Sequence, residues 1–98
     1  MKPCKRIEIV LEEALSKRVA ELLDAAGAQG YTIISRASGY GDRGLRRGDD
    51  PTGAATNCVF IIACESAAEV EAIVEAVRPI LSRSGGICLV SDAHWVRH

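Results

Sequence analysis

Apolar and polar residues alternate along residues 4–11, where Ile7, Ile9 and Leu11 share one face and Arg6 and Glu8 the opposite face. A two-residue period of this kind predicts a strand with one buried side. The same reasoning predicts strands over residues 31–38, 57–64 and 87–92, and the segment 57–64 is the most apolar of them. Residues 93–98 are left as a short tail.

A helical period replaces this alternation in two other segments. Over residues 12–26, and again after Ser66, apolar residues recur every three or four positions, as a helix with one buried stripe requires. Gly27 predicts the end of the first helix, and Ser66 with Glu69 has the spacing of a capping box at the start of the second. Pro79 predicts a disturbance in the last turn of the second helix. The stripes comprise Leu15, Val19, Leu22, Leu23 and Ala26 in the first helix, and Val70, Ile73, Val74, Val77 and Leu81 in the second.

The order of elements is therefore β-α-β-β-α-β. With right-handed crossovers, this order predicts a ferredoxin-like α+β sandwich, in which a four-stranded antiparallel sheet carries both helices on one face. No linker interrupts the pattern, so residues 1–98 are expected to form a single domain.

The segment 57–64 is apolar on both of its faces, and "ICLV" at residues 87–90 repeats this pattern. In a two-layer fold only one sheet face is covered by helices, so the other face is expected to alternate to polar residues. A large uncovered apolar patch usually marks an interface. The sequence therefore predicts a homo-oligomer whose open sheet faces pack together.

The composition argues against several functional classes. The net charge is −1 and aromatic residues make up 4% of the chain, which argues against a nucleic-acid-binding module. No apolar run approaches the roughly 18 residues of a membrane span. The first segment carries two glutamates among its apolar residues, so it does not resemble a signal peptide, and a cytoplasmic location is expected.

The four cysteines and two histidines do not form a metal-binding pattern. No C-x-x-C occurs, both histidines lie in the tail, and Cys58 and Cys64 fall within an apolar strand. Reduced, buried thiols that pack as small hydrophobic groups are therefore expected, and no metal site.

A glycine-rich loop of about residues 40–55 follows the second strand. Residues 39–44, "GYGDRG", match G-x-G-x-x-G, but no helix follows them, and a dinucleotide-binding turn requires one. Two interpretations remain open on the residues alone. Closely spaced glycine amides and arginines can clamp an anion, or the segment is a flexible, solvated tip.

A second glycine cluster at residues 84–86 precedes the fourth strand. Because strands two and four are expected at opposite edges of the sheet, the two loops predict clefts between protomers.

These features together resemble the PII signal-transduction superfamily over essentially the whole chain. The long connection corresponds to that family's T-loop, the turn before the fourth strand to its B-loop, and "GYTIISRASGYG" at residues 30–41 is similar to its strand-to-T-loop segment. The resemblance implies a homotrimer with adenine-nucleotide sites between subunits. It places Thr32, Ser38, Gly39 and Gly41 beside the nucleotide.

Within that superfamily, the pattern Gly39-x-Gly41-x-Arg43-x-x-Arg46 resembles the G-x-G-x-R-x-x-R motif of the inorganic-carbon branch. This branch includes SbtB-type regulators of bicarbonate transporters and shorter carboxysome-associated proteins. The nitrogen-regulatory branch carries a glutamine where Arg43 stands, and a B-loop lysine where Ile87 stands. The resemblance therefore implies ADP or AMP with bicarbonate as ligands, rather than ATP with 2-oxoglutarate.

The resemblance also implies a role for each site residue. Arg43 and Arg46 would hold phosphate, assisted by the amides of Gly39 and Gly41, and bicarbonate would lie against Gly41, Arg43 and Arg46. The backbone of Gly85, Gly86 and Ile87 would contact adenine, and Arg97 would cap a phosphate. Ligands would order the T-loop and so create a surface for a protein partner, such as a bicarbonate transporter or a carboxysome component.

Two alternatives belong to other functional classes. A trimeric metal-binding protein resembling the copper-tolerance proteins would use the cysteines and histidines, although the cysteines lie mostly within strands. A small enzyme would use the loop as a lid, but only Tyr40, Asp42, Asp49 and Asp50 could serve there as acid or base. No catalytic residue is therefore expected.

Overall fold

The fold was analysed in a computed structural model that describes residues 1–41, 44–46 and 56–98. Strand β1 (Lys2–Glu12) leads through a 3-10 turn (Glu13–Leu15) into helix α1 (Ser16–Ala25) and strand β2 (Thr32–Ala37). Two short strands, β3 (Gly39–Gly41) and β4 (Gly44–Arg46), come next. Strand β5 (Asn57–Cys64), helix α2 (Ala67–Ser84) and strand β6 (Ile87–Trp95) complete the order.

The main sheet has the strand order β2-β5-β1-β6, and every neighbouring pair is antiparallel. The sequence prediction of a four-stranded antiparallel sandwich with two helices is confirmed. Strands β2 and β6 lie at opposite edges, as predicted. The end of β2 and the start of β6 nevertheless lie at the same end of the sheet, because Ala37 pairs with Asn57, Asn57 with Glu12, and Val10 with Ile87.

One face of the sheet forms the core with the helices. Alternate residues of the central strands are fully buried there, including Ile7 and Ile9 of β1 and Phe60 and Ile62 of β5. Their partners on the helices are Val19 and Leu23 in α1 and Ile73, Val77 and Ile80 in α2. Four residues of the predicted stripes are thus fully buried, the other six are partly buried, and Ile80 is an addition.

The opposite face, which we call the open face, carries no helix. The register places Val10 of β1, Val59 and Ile61 of β5, and Ile87 and Leu89 of β6 on this face. Ile87 and Leu89 keep 50% and 55% of their surface exposed, which is far above the value for core residues. The apolar open face that the sequence predicts is therefore present.

Three features differ from the sequence predictions, and one of them is a boundary. Strand β6 continues to Trp95 instead of ending at residue 92, because β1 begins at Lys2 and Lys2 pairs with Trp95. The sequence predicts a glycine-rich loop and no strand after β2, yet β3 and β4 form an antiparallel hairpin there. Helix α2 runs on past Pro79 to Ser84 without a break.

Candidate functional site

The base of the glycine-rich loop begins with an irregularity in β2. The pairing of β2 with β5 shifts between Ile34 and Ala37, which marks a β-bulge. Arg36 lies in this bulge with φ of 60°, and it is the one non-glycine residue with positive φ among the described residues. A left-handed arginine costs free energy that other contacts must offset. The bulge therefore sets the direction in which the chain leaves the sheet.

Glu13 contacts both sides of this loop. Its carboxylate accepts a hydrogen bond from the backbone N–H of Arg36, and its own backbone N–H donates to the carbonyl of Thr56 at 2.9 Å. Thr56 is fully buried at the entrance to β5. Sequence reasoning missed Glu13 and Arg36, which are 23 positions apart and match no motif.

The hairpin after β2 brings two predicted site residues together. Gly39 pairs with Arg46, and Gly41 pairs with Gly44. A Cβ atom at Gly39 would have no neighbour within 4 Å, so its backbone is open to approach by a ligand. Ser38 is exposed beside it. Arg43, the other arginine of the predicted clamp, lies outside the described residues.

Local backbone structure requires the two glycines in the turn before β6. Gly85 is left-handed, with φ of 76°, and donates to the carbonyl of Leu81 at 2.9 Å, as a helix C-cap requires. At Gly86, a Cβ atom would lie 2.7 Å from the carbonyl oxygen of Val10. Ile87 begins β6 and points to the open face. The hydroxyl of Ser84 is buried and has no hydrogen-bond partner in the described part of the chain.

Trp95 and Arg97 lie at the other end of the sheet, whereas Thr32 lies level with the middle of β1, because Thr32 pairs with Ile61 and Ile61 pairs with Glu8. Strand β2 begins opposite Ile61, so the last residues of β5 have no neighbour on that side. The gap forms a surface cavity of about 500 Å³ whose lining includes Thr32, Ile61 and Trp95. A second cavity of about 310 Å³ includes Trp95 and Arg97 in its lining. Trp95 is 44% exposed between them.

The predicted site residues thus form two groups. Ser38, Gly39, Gly41 and the turn at residues 84–86 lie at one end of the sheet, whereas Arg97 lies beyond the other end. Strand β6 joins the two ends, and its nine residues span about 26 Å at 3.3 Å per residue. One protomer alone cannot bring Arg97 to Gly86.

Ionisable side chains near the two groups have shifted pKa values. Burial raises the pKa of Cys58 to about 11, and the negative charge of Glu13 adds to this shift. Tyr31, next to Thr32, donates to Asp24 at 3.3 Å, and burial together with the Asp24 carboxylate raises its pKa. The hydrogen bonds of Glu13 to Arg36 and Thr56 place this residue between the two ends of the loop, next to the start of β5.

Metal-binding side chains are not gathered anywhere in residues 1–41, 44–46 and 56–98, where no three His, Cys, Asp or Glu residues could hold one ion. All four cysteines are free thiols. Neither described helix is long and apolar enough to cross a membrane.

Comparison with solved structures finds the same fold in PII-like proteins. The structure of CPII from Thiomonas intermedia K12, described as a nitrogen regulatory PII-like protein bound to ADP, AMP and bicarbonate, is 30% identical with a TM-score of 0.81. The match covers 98% of this chain and 96% of CPII.

Two more distant structures support the fold alone. A PII-like signalling protein from Thermus thermophilus is 24% identical with a TM-score of 0.78, over 98% of this chain and 92% of that one. GlnK of B. subtilis, in complex with ATP, is 17% identical with a TM-score of 0.64, over 95% and 84% of the two chains.

A family model ties these matches to the sequence itself. The model described as nitrogen regulatory protein P-II matches residues 4–98, which include both helices, the glycine-rich loop and all of the main sheet except the first two residues of β1. The chain therefore belongs to the P-II family.

Proposed function

We propose that the chain is a PII-like sensor of the inorganic-carbon branch, which binds ADP or AMP together with bicarbonate and signals to a protein partner. The observation that carries this proposal is the similarity to CPII, which spans nearly all of both chains and whose structure holds these three ligands. Trimeric assembly, a cytoplasmic location and signalling by binding rather than catalysis are parts of the same proposal.

The hairpin at the loop base supports an anion site. Because Gly39 and Arg46 are paired across β3 and β4, an open glycine backbone and an arginine start from adjacent positions. Glycine amides and a guanidinium are suited to phosphate and to the planar bicarbonate ion. We assign phosphate to Gly39, Gly41, Arg43 and Arg46, and bicarbonate to Gly41, Arg43 and Arg46. Ordering of the loop by these ligands would present a new surface to the partner, which we propose is a bicarbonate transporter or a carboxysome component.

The two separated groups support a site shared between copies. A nucleotide that contacts both Gly86 and Arg97 must take them from two protomers, since about 26 Å separates the ends of β6. In such an assembly, the loop base of a neighbouring protomer and its bound ligand would lie against the cavity around Thr32 and Trp95. We propose that the ligand clefts lie between protomers for this reason.

Isothermal titration calorimetry tests the ligands directly. ADP and AMP are titrated with and without bicarbonate, and we expect binding that bicarbonate strengthens. Arg43→Ala should lose most of the phosphate-dependent affinity, whereas Arg18→Ala, on the exposed side of α1, should bind normally. If the wild-type protein binds none of these nucleotides under either condition, the proposal is wrong.

Mixed oligomers test the sharing of sites. Arg46→Ala and Arg97→Ala proteins are unfolded together and refolded, so that their protomers mix. If each site takes Arg46 from one copy and Arg97 from another, about a quarter of the sites regain both arginines by random mixing. Separately refolded variants serve as the control. A mixture that binds no better than either variant alone would place both arginines in one protomer's site, or outside it.

A further inference from the structure

We propose that Glu13 is a positioning residue that holds the base of the glycine-rich loop in the arrangement from which ligands are bound. Glu13 belongs to the 3-10 turn after β1, far in sequence from the loop. The ligand part of this proposal rests on the proposed function, whereas its conformational part does not.

The first step is that Glu13 contacts the chain on both sides of the loop. Before the loop, its carboxylate accepts a hydrogen bond from the N–H of Arg36. After the loop, its backbone N–H donates to the carbonyl of Thr56. One residue thus connects the last part of β2 to the entrance of β5, and the segment between them departs from and returns to fixed points.

The second step concerns what the carboxylate does for Arg36. A β-bulge leaves one residue outside the ladder of backbone hydrogen bonds, and the N–H of Arg36 finds its acceptor in Glu13 instead. Arg36 also has φ of 60°, which a residue with a Cβ atom adopts only when its surroundings favour it. The Glu13 carboxylate therefore accepts a hydrogen bond that the ladder does not supply, and this contact helps to offset the cost of the left-handed backbone.

The third step connects the bulge to the site. The hairpin strand β3 begins at Gly39, three residues after Arg36, so the backbone angles at Arg36 determine where Gly39 and Gly41 are placed. The raised pKa of Cys58, to which the charge of Glu13 contributes, is consistent with a carboxylate held close to the start of β5. Without the carboxylate, the hairpin would stay attached to the sheet but could adopt more than one orientation relative to it.

Amide hydrogen exchange followed by NMR tests the hydrogen bond without any ligand. In Glu13→Ala we expect the Arg36 amide to exchange at least about tenfold faster, while amides in the centre of β1 and β5 keep their wild-type rates. Glu13→Gln retains an oxygen acceptor, so it should keep most of the protection. Glu21→Ala, which removes an exposed carboxylate from α1, is the matched control. Unchanged exchange at Arg36 in Glu13→Ala, or equal losses in the Gln and Ala variants, would overturn the proposal.

A pair of variants at Arg36 isolates the left-handed backbone. Arg36→Gly and Arg36→Ala both remove the side chain, but only glycine adopts positive φ at no steric cost. We expect the Gly variant to keep the wild-type amide shifts of Gly39 and Gly41 even when Glu13→Ala is added. The Ala variant should change them. Identical spectra for the Gly and Ala variants would show that the conformation of Arg36 does not position the hairpin.

Nucleotide affinity then tests whether the base of the glycine-rich loop affects ligand binding. If Glu13→Ala populates the competent arrangement about a tenth of the time, the apparent affinity for ADP falls about tenfold, and adding Arg36→Gly should restore much of the loss. Wild-type protein that binds no ADP contradicts the proposed function but leaves the exchange result standing. If the wild-type protein binds ADP and Glu13→Ala retains full affinity, the role of Glu13 in binding is contradicted, and its role in the conformation of the loop base is not.

Discussion

At the scale of single residues, Gly86 has less room for a side chain than Gly27, Gly30 or Gly39. A Cβ atom there would lie 2.7 Å from the Val10 carbonyl oxygen and 2.9 Å from both Leu11 Cβ and Leu81 Cδ2. Two of these neighbours are backbone or Cβ atoms of a central strand, which cannot move without shifting the sheet. We expect Gly86→Ala to lower the free energy of unfolding by about 1–3 kcal/mol, measured by urea denaturation.

Gly30→Ala is the control for that measurement. No atom lies within 4 Å of a Cβ placed at Gly30, and its φ is not positive. The control should change stability by no more than about 0.5 kcal/mol. Equal stabilities of the two variants would show that β6 and α2 adjust to the added methyl group.

The buried thiols give a prediction for alkaline pH. Burial raises the pKa of Cys58 and of Cys64 from an ordinary value of 9.0 to about 11, with smaller contributions from nearby negative charges. The folded protein therefore binds these protons more tightly than the unfolded chain. The stability that this provides is complete below about pH 9 and is lost as the pH rises towards 11.

We therefore expect the melting temperature to fall between pH 9 and pH 11, with each thiol contributing up to about 2 kcal/mol. Cys58→Ala removes one of the two groups, so the same pH change should lower its melting temperature by less than that of the wild type. The comparison uses slopes and not absolute stabilities, because the substitution also leaves a small cavity. Parallel pH profiles would contradict the assignment of the shift to Cys58.

Residue identity alone predicted part of the candidate site. The spacing of Gly39, Gly41 and Arg46 could be read directly, and the structure pairs Gly39 with Arg46. Arg36 could not be found in this way, because arginine is not a residue that signals a left-handed backbone. Its partner Glu13 is distant in sequence, and only the folded sheet brings the two together.

At the scale of elements, the start of α2 follows its local sequence closely. The Ser66 hydroxyl accepts from the N–H of Glu69 at 3.2 Å, as the predicted capping box requires. The Glu69 carboxylate accepts from the N–H of Glu65 at 3.1 Å, one residue earlier than the usual partner. The Glu69 N–H, which the start of the helix would leave unpaired, is thus satisfied, and the Glu65 bond fixes the residue before the cap.

Ser66→Ala is expected to lower the free energy of unfolding by about 1 kcal/mol, because the Glu69 N–H loses its acceptor. Urea denaturation measures the change. Ser82→Ala lies within the same helix at an exposed position, and alanine favours a helix, so its stability should stay the same or rise slightly. A loss in Ser82→Ala as large as that in Ser66→Ala would remove the cap as the explanation.

Most of the elements that the sequence predicted have a buried face. Strand β1 alternates and both helices have a helical period because one side packs in the core. Strand β5 is apolar on both faces, and β2 contributes no residue to the buried core. The hairpin of β3 and β4 has no such pattern, since its six residues include three glycines. The sequence of the tail also does not predict the extension of β6 to Trp95, because this extension depends on pairing with the first residues of β1.

At the scale of the whole molecule, the open face remains to be accounted for. Ile34, Ile87 and Leu89 are each about half exposed on one side of the sheet, beside Val10 and Val59. Apolar residues grouped in this way on a protein surface usually form an interface. The proposed trimer would bury them, and it would also bring the loop base of one copy near the Thr32 and Arg97 cavities of another.

Leu89→Glu tests this assembly. A charge at the centre of a closed interface would cost about 3 kcal/mol or more in each protomer, so sedimentation at micromolar concentration should show smaller species than the wild type. Val90→Glu is the matched control, because Val90 is 46% exposed in the same strand but points away from the open face. It should sediment as the wild type does. A wild-type protein that is itself monomeric, or equal sedimentation of wild type and Leu89→Glu, would mean that the open face does not join copies of this chain, and the shared ligand clefts would have to be abandoned with it.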